Sequence, residues 1–75
     1  MMSNRPFILF QVEPFIYHQS SDISDVIIEH NKNKFPNVLL VDSNNIEIIT
    51  EIRYLDLNRI QVLLNAPIQF TAYIY

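Results

Sequence analysis

The second half of the chain alternates between apolar and polar positions with a period of two residues. Successive side chains of a β-strand point to opposite faces, so this pattern is typical of half-buried strands. The longest run covers residues 46–55, with Ile46, Ile48, Thr50, Ile52 and Tyr54 on one face and Glu47, Ile49, Glu51, Arg53 and Leu55 on the other. Residues 60–65 and 70–75 alternate in the same way, and their apolar sets are Ile60, Val62 and Leu64, then Phe70, Ala72 and Ile74.

Short polar segments separate these runs and predict turns. Asp42-Ser43-Asn44-Asn45 has the length of a hairpin loop between a strand at 38–41 and the strand at 46–55. Asp56-Leu57-Asn58 predicts a second tight connection. Asn65-Ala66-Pro67 is expected to interrupt the last pair of strands, because Pro67 cannot donate a ladder hydrogen bond.

The first half of the chain is less regular. It predicts a strand at 7–12 that Pro14 ends or bends, a polar turn over residues 19–22 and a strand at 25–29. An alternative is a helix that begins at Ser21 or Ser24, since Ser and Asp are good N-caps. Six short strands in one domain, residues 1–75, predict an all-β fold, either a small antiparallel β-sandwich or an open barrel.

The small size of the chain limits the core that it can bury. A domain of 75 residues hides only about 60% of the surface that its unfolded chain exposes. The sequence contains no Cys, which excludes disulfides and thiolate metal sites. We therefore expect apolar surface to be covered by partner chains, and we predict a homo-oligomer because short exposed strand edges invite pairing.

The charge balance argues against nucleic acid as a partner. The net charge is −3, and only five residues are basic. The apolar run at 7–10 ends at Gln11, which is too short for the core of a signal peptide, and no apolar run approaches the length of a membrane span. These observations predict a protein that is made in a cytoplasm and does not bind a membrane.

The absence of Gly gives the Asn residues a particular importance. The chain has no Gly but eight Asn, and Asn is the next most tolerant residue for a left-handed backbone conformation. We therefore predict that some of these Asn residues occupy turn positions that Gly fills in other proteins.

The polar residues offer only weak candidates for chemistry. His18 and His30 could bind a metal with Asp22, Asp25 or Glu29, but their spacing matches no metal motif. Ser20 or Ser21 with His18 and Asp22 lacks the separate rigid elements that a catalytic triad needs. We predict no catalytic, metal-binding or cofactor-binding residues, and we interpret Glu51 and Arg53 as charges on a solvated face.

The stretch from Tyr17 to Tyr75 resembles a small β-domain that recurs in the virion proteins of tailed bacteriophages, including tail-associated and fibre-associated ones. The ordered residues that carry the resemblance are His18-Gln19-Ser20-Ser21, His30-Asn31, Phe35-Pro36, the segment from Val38 to Ser43, the segment from Ile52 to Asp56, Asn58, Ala66-Pro67 and Thr71-Ala72-Tyr73. The chain departs from the pattern where Lys32-Asn33, Asn45 and Phe70 replace Leu-Gly, a hairpin Gly and a late Gly.

The resemblance implies a non-enzymatic structural protein of the tail, neck, fibre or capsid surface, made in the bacterial cytoplasm and packed against other virion proteins. Within it we expect His30, Asn31, Phe35 and Pro36 to form a structural loop. Phe70 in place of Gly is expected to alter the last turn and expose its ring. An alternative function is binding of a host-surface glycan by Phe70, Tyr73 and Tyr75, because Tyr suits protein and sugar contacts.

Overall fold

The computed structural model describes residues 13–75, so the strand predicted at 7–12 lies outside the described residues. The described part forms one antiparallel sheet that is not closed, and it contains no helix that could span a membrane. The predicted all-β, antiparallel fold class is confirmed. The described residues contain five strands: β1 (Phe15–Glu29), β2 (Val38–Val41), β3 (Glu47–Ile48), β4 (Glu51–Asp56) and β5 (Arg59–Ile74).

The central strand of the sheet is β5. Along one edge it pairs with β1 over nearly its whole length, from Glu29 opposite Arg59 to Phe15 opposite Ile74. Along the other edge it pairs first with β4 and then with β2. The short strand β3 extends the sheet beyond β2. Every other strand except β3 therefore depends on β5 for its place in the sheet.

The sheet curls over because the long antiparallel pair of β1 and β5 is bent. An unbent strand of the length of β1 spans about 50 Å. However, the Lys32 ammonium, just beyond the end of β1, donates to the carbonyl of Glu13, just before its start, at 3.0 Å. The opposite ends of β5 are linked in a similar way, because the Tyr54 hydroxyl beside Ile60 donates to the carbonyl of Pro36 at 2.8 Å. The two halves of the sheet therefore fold towards each other, as in a sandwich or an open barrel.

The bend lies where the register between β1 and β5 shifts. Pairing is interrupted between Gln19 and Ile23 and again between Ile23 and Asp25. The turn predicted at 19–22 is wrong, since this segment lies within β1, and so is the alternative helix at Ser21 or Ser24. Residues 65–67 do not reverse the chain, but the predicted interruption is confirmed, because pairing with β1 is broken between Leu63 and Ile68. The two segments lie on either side of the Ile23–Ile68 pair, with residues 20–22 opposite Gln69 and residues 64–67 opposite Ser24, so that they produce bulges and a bend instead of chain reversals.

The bulges also allow both halves of β1 to face one core. Tyr17 packs against the core in the first half of β1, whereas Ile28 does so in the second half. These two positions are an odd number of residues apart, so a strict alternation would place them on opposite faces. The irregular pairing between Gln19 and Asp25 restores the inward direction.

The core consists of alternating side chains from both halves of the sheet. Its members are all at most 3% exposed: Ile28, Leu40, Ile60, Val62, Phe70, Ala72 and Ile74. The predicted alternation of 60–65 and 70–75 is thus confirmed for the central strand. The run at 46–55 is divided into β3 and β4 at Ile49 and Thr50, where the Thr50 hydroxyl donates to the carbonyl of Leu63.

The turns confirm that Asn replaces Gly at left-handed positions. Among the described residues, positive φ angles occur at Asn31 (57°), Asn33 (56°) and Asn45 (64°). Asn45 lies in the β2–β3 turn, which the Asp42 carboxylate holds by accepting from the N–H groups of Asn44 and Ile46 at 2.8 and 3.0 Å. The side-chain hydrogen bonds of Asx turns are a common feature of such loops.

Replacing Asn45 by Gly should raise the free energy of unfolding by up to about 1 kcal/mol, because Gly has no Cβ to oppose a positive φ. The matched control is Asn44→Gly in the same turn, where φ is not positive. There the change should lower stability by about 0.5–1 kcal/mol through the added freedom of the unfolded chain. Urea unfolding followed by circular dichroism measures both, and equal losses in the two variants would contradict the prediction.

Candidate interaction surfaces

A large part of the apolar surface of the described chain is exposed. Ten large hydrophobic side chains are 36–88% exposed: Phe15, Ile16, Ile27, Phe35, Ile46, Ile49, Tyr54, Leu55, Leu57 and Tyr75. Scattered single residues of this kind are normal on protein surfaces, whereas groups of them often mark interaction sites. Two groups stand out when the exposed residues are placed on the sheet.

The first group lies on the outer face of the sheet near the C-terminus. Ile16, Tyr73 and Leu39 are directly opposite one another on β1, β5 and β2. Ile16 is 48% exposed, and Tyr73 and Leu39 are partly buried. Tyr75 follows Tyr73 by two residues and is 36% exposed. Tyr73 and Tyr75, which the sequence predicts as interaction residues, thus lie at one end of the sheet with Ile16 and Leu39, and their role stays a prediction.

Phe70 does not belong to this surface, and the prediction that its ring is exposed is wrong. The residue is 3% exposed and packs in the core beside the ring of Tyr17, with the two ring centroids 6.2 Å apart. Phe70 shares its face of β5 with Ala72 and Ile74, which are also buried. Its position lies within a strand, where a bulky side chain is accepted, so no left-handed turn is needed there.

The second group surrounds β4. Tyr54, Leu55 and Leu57 are each more than 40% exposed, and Ile49, just before the strand, is 88% exposed. The ring of Phe35 packs edge-on against Tyr54, with centroids 5.7 Å apart, and is itself 63% exposed. The sequence prediction did not include this group, although Ile49 and Leu55 are the two apolar interruptions of an otherwise charged face.

Charged residues lie among these apolar side chains. Nε of Arg53 is 2.6 Å from a carboxylate oxygen of Glu51, and both side chains are more than half exposed. This hydrogen bond raises the pKa of Arg53. At the β4–β5 turn, a guanidinium nitrogen of Arg59 lies 2.7 Å from Oδ2 of Asp56. The hydrogen bond from Arg59 is the largest cause that lowers the pKa of Asp56, and the hydrogen bond from the Asn58 N–H is the second. Exposed pairs of this kind contribute little to stability.

The loop from His30 to Pro36 is attached to the β4–β5 turn by backbone hydrogen bonds. The N–H of His30 donates to the carbonyl of Asn58 at 2.8 Å, and the N–H of Asn31 donates to the same oxygen at 3.4 Å. The N–H of Asn33 donates to Oδ1 of Asn58 at 2.7 Å. Pro36 is buried, whereas Phe35 is exposed against Tyr54. The four residues predicted as a structural loop thus lie together in one connected segment.

His30 is the one buried polar residue of the described chain, at 3% exposure. Its Nδ1 accepts a hydrogen bond from the N–H of Lys32 at 3.1 Å, which requires an unprotonated Nδ1. Its Nε2 is buried and has no hydrogen-bond partner among the residues from 13 onward. Burial lowers the pKa of His30, the charge of Lys32 lowers it further, and the charge of Asp56 opposes both effects. The ring is therefore held in its neutral form.

The other candidate histidine lines a shallow polar groove of about 230 Å³. Nδ1 of His18 is 3.1 Å from the hydroxyl of Thr71 on the neighbouring strand. Ser20 and Asp42 also line the groove, but Asp42 is already engaged in holding the β2–β3 turn. Across the described residues, no three or more His, Asp or Glu side chains are grouped so that they could bind a metal ion.

No protein-family model matches the chain, and comparison with curated proteins and with solved structures finds no match either.

We expect Phe70→Ala to lower the free energy of unfolding by about 3–5 kcal/mol, because it leaves a cavity in the core. Tyr75→Ala, at the exposed end of the same strand, should change it by about 0.5 kcal/mol or less. Phe70→Leu provides a measurable loss if the Ala variant does not fold. Thermal unfolding of the three variants tests the placement, which a loss for Tyr75→Ala equal to that for Phe70→Leu would contradict.

We also expect the protein to lose stability as the pH falls below about 6.5, the ordinary pKa of an unfolded His. The folded pKa of His30 is lower, so the unfolded chain takes up the proton first, and the loss continues until the pH reaches the folded pKa. His30→Asn retains a possible acceptor for the Lys32 N–H and should remove this pH dependence. Chemical unfolding across this range, with His18→Asn as the control that keeps His30, measures the difference.

Proposed function

We propose that this chain is a non-enzymatic structural subunit of a tailed-bacteriophage particle, in which it acts by packing against other virion proteins. The observation that carries the proposal is the amount of apolar surface left exposed around an unclosed sheet. Contiguous apolar surface on a small protein is typical of protein–protein contacts. The resemblance of residues 17–75 to phage virion domains supplies the class of particle.

The edges of the sheet support the same proposal. Among the described strands, β4 pairs only with β5, and β1 has no strand on its outer side. Unpaired edges present rows of backbone N–H and C=O groups that another chain can complete. A subunit that docks by edge pairing and apolar contact requires no catalytic group, and its location is then the virion.

A second candidate function is binding of a host-surface glycan by the outer face at Tyr73 and Tyr75. Tyr75 is 36% exposed, and Tyr73 shares its face of β5 with Thr71, so aromatic and hydroxyl groups lie side by side. With Phe70 in the core, this face offers two aromatic rings instead of three. Binding to whole host cells should be lost in a Tyr73→Ala, Tyr75→Ala double variant if this function is correct.

The proposed structural role predicts that the chain is an integral component of the particle. In phage particles purified by density gradient from an infection that expresses the chain, mass spectrometry should find it at a fixed ratio to the major structural proteins after a high-salt wash. A chain with Ile16→Asp and Leu55→Asp, two exposed positions whose substitution spares the core, should be incorporated less. Thr71→Ser is the matched conservative control. Recovery of the chain only in the soluble lysate would contradict the proposal.

A further inference from the structure

The free strand edges differ in how well each could pair with a second copy of the same chain. The edge of β1 is interrupted by two register shifts, and β1 carries Asp22, Asp25 and Glu29 but no Lys or Arg. Two copies of β1 would therefore bring acidic groups together along an irregular edge. β3 has only two residues. These features oppose self-pairing at both edges.

The edge of β4 has the opposite properties. Its pairing with β5 is regular from Glu51 to Tyr54, with one register shift near its end between Tyr54 and Asp56, and β5 is the only described strand that it contacts. In an antiparallel strand every second residue directs its N–H and C=O to one side, so β4 presents such groups on its unpaired edge. Exposed apolar residues flank this edge, as described above.

The charges of β4 favour one two-fold register, the only one that places Glu51 opposite Arg53. Directly opposite residues of paired strands point to the same side of the sheet, so an antiparallel two-fold pairing must be centred on a residue. A centre at Glu51 places its carboxylate opposite the same carboxylate of the partner subunit, where like charges repel. A centre at Arg53 does the same with two guanidinium groups. A centre at Ile52 places Glu51 opposite Arg53 of the partner subunit, twice by symmetry.

The same register also matches the apolar residues. The exposed side chains of Ile49 and Leu55 come just before and just after the regularly paired residues 51–54, so in this register they lie beyond the two charge pairs at either end. On the core side, Ile52 meets its own copy on the two-fold axis, and Thr50 falls opposite Tyr54 of the partner subunit. Opposite charges and apolar side chains both stabilise cross-strand neighbours.

We propose that two copies of this chain associate through their β4 edges, antiparallel about a two-fold axis at Ile52, to form one continuous sheet. The occupant of this edge is thus a second copy of the chain. The inference rests on the proposed structural function and gives its self-association a surface, a register and a symmetry. The intrachain ion pair of Glu51 and Arg53 then becomes part of a four-residue charge ladder across the axis.

Charge reversal tests this register directly. Glu51→Arg and Arg53→Glu each place like charges opposite each other, and each should weaken the dimer at least about tenfold in Kd. The double variant with both substitutions restores opposite charges and should dimerise as the natural chain does. A mixture of the two single variants should form a heterodimer in preference to either homodimer. Analytical ultracentrifugation over a wide range of concentrations measures all four cases.

Two further variants separate docking from folding. Ile49→Lys, at an 88% exposed position beside the edge, should weaken the dimer without loss of thermal stability. Ile16→Lys, 48% exposed in the other half of the sheet, should leave dimerisation unchanged. Because the chain contains no Cys, Glu51→Cys mixed with Arg53→Cys reports the register through oxidative cross-linking of the mixture. Preferential cross-linking of the mixed pair supports the proposed register.

A natural chain that stays monomeric at every concentration would overturn the inference, as would equal dimerisation of the single and double charge variants. In the first case the edge belongs to a different virion protein or remains unpaired. The proposed function would then still be decided by the presence of the chain in purified particles, so the two proposals fail through different measurements.

Discussion

The fold depends on the pairing of β5 with strands on both of its edges. The N-terminal half of β5 lies between β1 and β4, and its C-terminal half lies between β1 and β2. Alternate side chains of β5 supply most of the core, including Ile60, Val62, Phe70 and Ile74. Because β5 runs through both halves of the sheet, the bend in its pairing with β1 decides whether those side chains meet. If β1 and β5 were paired without a bend, the two halves would form two separate cores, each too small to exclude water.

The shared core joins the two halves of the curled sheet, and two hydrogen bonds link its ends. Lys32 reaches back to the start of β1, and the Tyr54 hydroxyl reaches the carbonyl of Pro36. Both contacts involve the loop after β1, which the neutral His30 ring and the side chain of Asn58 hold in shape. Protonation of Nδ1 of His30 would therefore remove the acceptor for the Lys32 N–H in this loop.

The sequence predicts the class of fold because alternation is a local property. Alternation alone places Ile60, Val62, Ala72 and Ile74 on one face, which is the core face. The same alternation includes Phe70, but the late Gly of the resemblance led to the wrong prediction that its ring is exposed. The absence of Gly predicts left-handed Asn residues in general, and the resemblance indicates Asn33 and Asn45. The bend is harder to predict, since Gln19–Asp22 and Asn65–Pro67 have the composition of turns. Only their positions on either side of the Ile23–Ile68 pair make them bulges, and this is a property of pairing. Likewise, the candidate interface around β4 emerges only once Ile49 and Leu55 are known to border an unpaired edge.

The late position of β5 in the chain has a consequence for biosynthesis. Of the strands that the structure describes, β1 and β4 have no partner other than β5, which is made after both. While the ribosome adds the intervening residues, β1 must wait with both edges unpaired, and only the small β2–β3 ladder can form in the meantime. Folding is thus governed by contacts between distant parts of the polypeptide, which makes it slow and leaves the nascent chain open to association with its neighbours.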